Sequence, residues 1–389
     1  MDRSRQRRHD LDALRVLAVL LLIPFHSARV FDVFDTFYVK SPTTSGGLSW
    51  AVVAFLNPWH MPLLFVLAGA ATWLALGHRD AKGYLGERTR RLLVPLLFGL
   101  LVIVPPQGFL ASRFRGGHDS LTGFLGRYWT IEGDLSGYTG SWTPAHLWFI
   151  GFLFILSLVA LPLFLRWRGR RLRTRWLLFA MPPILMLANE LPAPNDGPQN
   201  PFYSLALFVA GFLLLADPDA EGAVHRHWRP LLIAAAATTA TVLGVWHSGI
   251  ADHWSDGSPL DVGFSLVEQA NTWVWVLALL GTARALLSSP VRGLGYASEA
   301  SFPCYVLHQT VIVGVACLVV GWDLPVWWQF AAICLAGFAL TVLLYEVVIR
   351  RFNPIRFLFG MKPLPPTAEA RQRAPVGRGS ALEDVRDAP

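Results

Sequence analysis

The sequence predicts an all-α protein, a polytopic membrane bundle of about ten transmembrane helices with both termini on the cytoplasmic side. Three observations carry this prediction. Of 389 residues, 53% are hydrophobic and only 15% charged, whereas a soluble domain carries about 25% charged residues. The apolar residues gather into runs near the roughly 20 residues that a bilayer requires. Arginine and lysine cluster on alternate connections, as they do on cytoplasmic loops.

The runs lie near 11–31, 48–76, 92–112, 145–165, 176–190, 201–216, 230–249, 263–285, 302–321 and 326–349. With the N-terminus inside, the inner segments hold Arg3, Arg5, Arg7 and Arg8, then Arg79, Lys82, Arg88, Arg90 and Arg91. They continue with the run from Arg166 to Arg175, then Arg226, Arg229, Arg284, Arg292, Arg350, Arg351, Arg356 and Lys362. The outer loops hold only Lys40, Arg113, Arg115 and Arg127, together with acids such as Asp32, Asp35, Asp196, Asp252 and Asp323. Omitting one span would invert every later loop and erase this contrast.

The first run has a basic approach but carries Asp12 and Arg15 and lacks a small-x-small cleavage site. It therefore reads as a retained first span of a multi-pass protein of the plasma (inner) membrane, not as a signal peptide. Residues 1–362 form the predicted transmembrane domain. Residues 363–389 are rich in Pro, Arg, Gly and Ala without periodicity, which predicts a disordered cytoplasmic tail. The net charge of +7 sits on arginines that flank spans, so nucleic acid is not an expected partner; the bilayer is. Cys304, Cys317 and Cys334 are odd in number, lie in apolar runs and show no metal-ligand spacing. They read as small core residues, with no disulfide framework and no metal site expected.

The candidate chemistry starts in the first span. In LDALRVLAVLLLIPFH, Arg15 and His26 are eleven residues apart, about 20° from eclipsed on a helix and about 16 Å apart along it. Asp12 and Arg29 extend the same polar stripe. Ionisable groups inside a span are costly and face protein or a water-filled cavity. His26 suits a general base, and Pro24 beside it predicts a local kink; the plainer reading is a histidine hydrogen-bonded within the bundle. Arg15 suits a carboxylate or phosphate, or else reaches the headgroups or pairs with Asp12.

The second span reads NPWHMPLLFVLAGAATW and brings Asn57 and His60 into apolar surroundings between prolines. Asn57 is expected at about the depth of His26; His60 reads either as functional or as a satisfied core histidine. In YLGERTRRLLVPLLFG, Arg88, Arg90 and Arg91 stand where the third span begins. They suit an anionic ligand, coenzyme A phosphates included, or they are ordinary positive-inside residues. The fourth span opens with His146, Leu147, Trp148 and Phe149, and the ninth contains SFPCYVLHQT, with Tyr305 and His308 on one face. The outer loops 32–47 and 113–144 carry aromatic rings, which read as a sugar platform or as interfacial anchors.

Taken together, these residues resemble the integral-membrane acyltransferase 3 family, and within it the glucan-modifying, succinyltransferase-type branch. Arg15 and His26 fit its Arg-x10-His signature, and Arg88 and Arg91 its Arg-x-x-Arg pair ahead of Pro95. His146 to Phe149 fit its His-Leu-Trp-Phe stretch, Tyr305 and His308 its Tyr-x-x-His, and Arg350, Arg351 and Gly360 the glucan-type ending. Where the family has Ser-Gly, this chain has Ala68-Gly69, so no role of that serine transfers.

The resemblance implies a ten-helix acyltransferase. It would move an acetyl or succinyl group from cytoplasmic acyl-CoA to a carbohydrate hydroxyl, on a glycan or glycolipid of the cell envelope. It implies His26 and Arg15 in catalysis and Arg88 and Arg91 on the donor. Asn57, His60, His146, Trp148, Tyr305 and His308 would support the substrates. No permanently bound cofactor is implied, since acyl-CoA is a substrate. Two other classes compete: a secondary transporter or exporter of a lipid-linked or sugar substrate, and a scaffold without catalysis.

Overall fold

The computed structural model describes residues 7–131 and 135–364, and its regular elements are all helical. Most of the predicted disordered tail, 365–389, lies outside the described residues. Each predicted apolar run falls on helix. Among the described residues, five helices are long and apolar enough to cross a membrane: α1 (His9–Arg29), α3 (Ala81–Phe114), α10 (Trp228–Ser248), α12 (Leu294–Val319) and α13 (Val326–Ile349). α2 (His60–Leu76) is shorter and lies between α1 and α3. After α3 comes the short α4 (Leu121–Tyr128).

Two bent pairs raise the number to seven if each is one span. One is Ala145–Val159, whose regular part is α5 (Trp148–Val159), with α6 (Leu161–Trp167). The other is α8 (Pro201–Ala216) with α9 (Pro218–Arg226), bent by 94°. The remaining apolar helices are α7 (Leu177–Asn189) and the 28-residue α11 (Pro259–Leu286). The chain closes with α14 (Asn353–Leu358). On its outer face the bundle exposes Phe179 (84%), Leu318 (73%) and Ile233 (71%). Large apolar side chains turned outward suit lipid as the solvent, and the protein is an integral membrane protein.

Prolines set the irregularities. In α3, π-turns at Thr89–Leu93 and Gly99–Ile103 come just before Pro95 and Pro105, residues that cannot donate the regular backbone bond. The predicted second span, 48–76, is interrupted. A π-turn at Ser49–Ala54 leads into a turn at residues 57–59, and α2 starts only at His60. Pro58 lies within that break and Pro62 in the first turn of α2. Pro24, by contrast, is accommodated within α1 without ending it.

Close backbone approach fixes the crossing of α2 and α8, which pack along each other. A Cβ on Gly69 would overlap the Phe208 carbonyl, and one on Gly211 would overlap the Val66 carbonyl. This is small-residue packing, the device by which membrane helices associate without a hydrophobic driving force. α1 lies inside the bundle against α12, α11, α13, α2 and the Ser49–Ala54 turn. α12 is the most enclosed of the five long spans: 61% of its apolar window is buried, against 11% in α10. The two helices carrying His26 and His308 are thus central and adjacent.

Candidate active site

Three imidazoles meet where α1, α12 and the turn before α5 converge. The ring centres of His26 and His308 are 5.1 Å apart, and those of His308 and His146 are 5.0 Å apart. Tyr305 packs on both His146 (5.8 Å) and His308 (5.7 Å). The sequence places these residues on three separate elements, up to 282 positions apart, and the fold brings them into one cluster.

Backbone carbonyls determine the protonation pattern. A carbonyl only accepts, so a neutral imidazole nitrogen facing one must carry the proton. His308 Nδ1 lies 2.6 Å from the Tyr305 carbonyl, which makes it the N–H and leaves Nε2 a bare lone pair. His146 Nε2 lies 2.9 Å from the Val306 carbonyl, so its bare nitrogen is Nδ1. Both bare atoms are buried and unpartnered among the described residues, as is His26 Nδ1. The Tyr305 hydroxyl donates to the His146 carbonyl, closing a reciprocal lock between α12 and the turn at Ala145–Leu147.

That turn is strained. Ala145 has φ +45°, a left-handed conformation that a residue with a Cβ adopts at a cost of about 1–3 kcal/mol. The Ala145 N–H donates to Thr143 Oγ1 at 2.8 Å, and the Thr143 hydroxyl donates to the Leu135 carbonyl at 2.6 Å. The strained residue directly precedes His146 and sets where its ring goes.

His60 stands beside this cluster, not in it. It is buried, its Nε2 donates to the Ala18 carbonyl at 2.6 Å, and its ring lies against Phe25 and Trp59. These are the contacts of a satisfied core histidine. Trp148 packs on Phe65, Phe149 and Phe152. Asn57 is exposed on the turn at 57–59. The structure does not bring Asn57 or Trp148 to the three rings.

The arginines gather at the other end of α1. Arg15 is 3.6 Å from Asp12, and Arg88 and Arg91 are close enough to repel its charge. Arg88 donates to Thr72 Oγ1 at 2.7 Å and lies over the Tyr84 ring at 4.9 Å, and no carboxylate pairs with it among the described residues. Arg91 is 3.2 Å from Glu87, which also holds Arg79 at 2.7 Å. A guanidinium oriented by a neutral hydroxyl and an aromatic face keeps donors for an anion.

Three features of the site were not read from the sequence. Phe37, from the loop after α1, stacks on His26 at 6.1 Å with the rings 19° from parallel. That loop is braced by Arg29, which pairs with the buried Asp32 at 2.8 Å and with Asp35 at 2.6 Å. At the start of α1, Asp10 is buried with Arg8 at 2.7 Å, and Arg8 also reaches Glu221 of α9 at 2.8 Å. Phe37 gave no distinct signal, because its loop also carries Val33, Phe34, Tyr38 and Val39. Asp10 and Glu221 gave no local signal, because their pairing crosses helices. Among the described residues, no three His, Cys, Asp or Glu side chains are arranged to hold a metal ion.

The fold and this centre define a membrane-embedded helical bundle with a buried imidazole cluster at one end of a central helix and a group of arginines at the other. A family model described as an acyltransferase domain matches residues 8–346, and the chain belongs to the acyltransferase 3 family. It is therefore an acyltransferase. Glucans biosynthesis protein C of Escherichia coli K12 is 22% identical over 392 residues, covering 92% of this chain and 96% of the relative. The protein of the same name from Escherichia coli O157:H7 is 21% identical over 390 residues, with the same coverage. No solved structure matches the chain.

Proposed function

We propose that this acyltransferase moves an acetyl or succinyl group from cytoplasmic acyl-CoA to a hydroxyl of a cell-envelope glycan or glycolipid in the plasma (inner) membrane. The observation that carries the reading is the layout of α1. An imidazole cluster with unpartnered lone pairs lies about 16 Å along the helix from the set formed by Arg15, Arg88 and Arg91. The full-length relatives named for glucan biosynthesis favour a glucan-type acceptor. The charge contrast between loops favours ten spans with both termini inside, which puts the arginine end of α1 on the coenzyme A side.

In this reading Arg88 and Arg91 hold donor phosphates, and Arg15 orients the donor. His26 takes the proton from the acceptor hydroxyl as its oxygen attacks the thioester carbonyl. Tyr305 and the strained Ala145 turn keep the other two rings in register with His26.

Membranes containing the protein, incubated with acetyl- or succinyl-CoA labelled in the acyl group, should transfer label to a glucan fraction. Membranes carrying His26→Ala should not. Equal labelling by both would overturn the proposal.

A further inference from the structure

His26 has two imidazole neighbours in line, and simple general-base chemistry uses only one ring. An N–H···N hydrogen bond of about 2.9 Å between two imidazoles puts the ring centres about 5 Å apart. The His26–His308 and His308–His146 separations of 5.1 Å and 5.0 Å are both of that size, while neither pair is hydrogen-bonded at rest and His26 Nδ1, His308 Nε2 and His146 Nδ1 are all without a partner among the described residues. The tautomers also match a chain. His308 presents a bare Nε2 and His146 a bare Nδ1, each fixed because the opposite nitrogen is held by a carbonyl.

We propose that His308 is a second station for the acceptor's proton, with His146 as a positioning residue that supplies the lone pair for it. This rests on the O-acyl-transfer reading above. The acceptor oxygen attacks the thioester carbonyl carbon, forming the C–O bond and releasing its proton to one nitrogen of His26. His26 gives up the proton on its other nitrogen to His308 Nε2. His308 is then an imidazolium whose Nδ1–H stays on the Tyr305 carbonyl and whose new Nε2–H faces His146 Nδ1. As the C–S bond breaks, the proton returns along the same path to the departing thiolate. Ester and free thiol are the products, and both imidazoles are neutral again. Storing the charge one ring further on keeps His26 able to act at the acceptor and at the sulfur in one turnover.

Two substitutions separate this role from packing. His308→Asn keeps an N–H for the Tyr305 carbonyl and removes the base, and His146→Gln keeps an N–H for the Val306 carbonyl and removes the lone pair. The measurement is single-turnover transfer of labelled acyl groups from acyl-CoA by purified protein, in mixtures of light and heavy water, with donor affinity measured alongside. The wild type should show a curved dependence on deuterium fraction, the mark of more than one proton in flight. His308→Asn should lose about 10²–10⁴-fold in rate, keep donor affinity and give a straight line. His146→Gln should lose less and straighten the line too. Added imidazole should partly restore His308→Ala. Wild-type rates in both isosteric variants, or losses that track donor affinity with the curvature intact, would overturn the proton station and leave acyl transfer standing. No transfer by the wild type would overturn both.

Discussion

The two ends of α1 are built in opposite ways. At the histidine end the rings are buried: His308 and His146 are each held by a backbone carbonyl of α12, so their lone pairs point where the fold dictates, and His26 packs against the His308 ring. At the arginine end the groups are permanently charged and partly exposed, and they are held loosely. Arg15 is 3.6 Å from its acid, and Arg88 is placed by a hydroxyl and an aromatic ring. Proton transfer tolerates little misplacement, and a rigid site spares reorganisation at the moment of reaction. Capturing an anionic donor needs charge and reach more than fixed geometry, and mobile guanidinium groups supply both. One helix thus joins a preorganised end to an adaptable one.

The contrast breaks most sharply at His26. His26→Ala should lower acyl transfer by about 10²–10⁴-fold, the usual worth of a general base, while acyl-CoA affinity stays at the wild-type level. A single-turnover assay beside a binding titration checks both, and a much larger loss would indicate that the ring also carries the acyl group covalently. Arg88→Ala should do the reverse. Loss of a charge-assisted contact is worth roughly 1.5–3 kcal/mol, so the KM for acyl-CoA should rise about 10- to 100-fold with kcat little changed.

His60 marks the border of the preorganised end. His60→Leu removes the hydrogen bond to the Ala18 carbonyl, and thermal unfolding in detergent should show a loss of about 1–2 kcal/mol. Transfer per folded molecule should hold. A collapse in turnover with stability intact would bring His60 into the centre.

The smallest effect is expected in the loop that follows α1. Burial pushes the Asp35 carboxyl up, but the hydrogen bond and charge of Arg29 outweigh it and hold the group below the usual carboxylate range. A lowered folded-state value means that the pair stabilises the loop above about pH 4. That contribution fades as pH falls through the folded-state value. Asp35 is more than half exposed, so screening keeps the effect under about 1 kcal/mol. Hydrogen exchange of residues 30–40 should quicken as pH falls below about 4 in the wild type and be pH-independent there in Asp35→Asn once intrinsic exchange rates are corrected.

The same contrast separates what the sequence revealed from what it hid. The helices were legible because apolar runs and basic loops leave a linear pattern. The pairing of Arg15 with His26, and of Tyr305 with His308, on one face was legible because helical spacing fixes which residues share a face. The break at residues 57–59 was foreshadowed by Pro58 and Pro62, yet its effect was not: Asn57 ends on an exposed turn, not beside His26. Ala145 has a positive φ and its N–H turns back onto Thr143, and alanine carries no signal for that conformation. The tautomers of His146 and His308 depend on carbonyls of residues whose side chains are irrelevant to the chemistry. Backbone acceptors leave no trace in composition, so the part of the site that matters most for proton transfer was the least readable.

The central claim is that α1 separates donor capture from proton transfer. The direct test is to measure acyl-CoA affinity and single-turnover acyl transfer side by side in purified wild type, His26→Ala and Arg88→Ala. The account predicts wild-type affinity with transfer lowered about 10²–10⁴-fold in the first variant, and weakened affinity with near-normal transfer at saturating donor in the second. Parallel loss of affinity and transfer in both variants would contradict it.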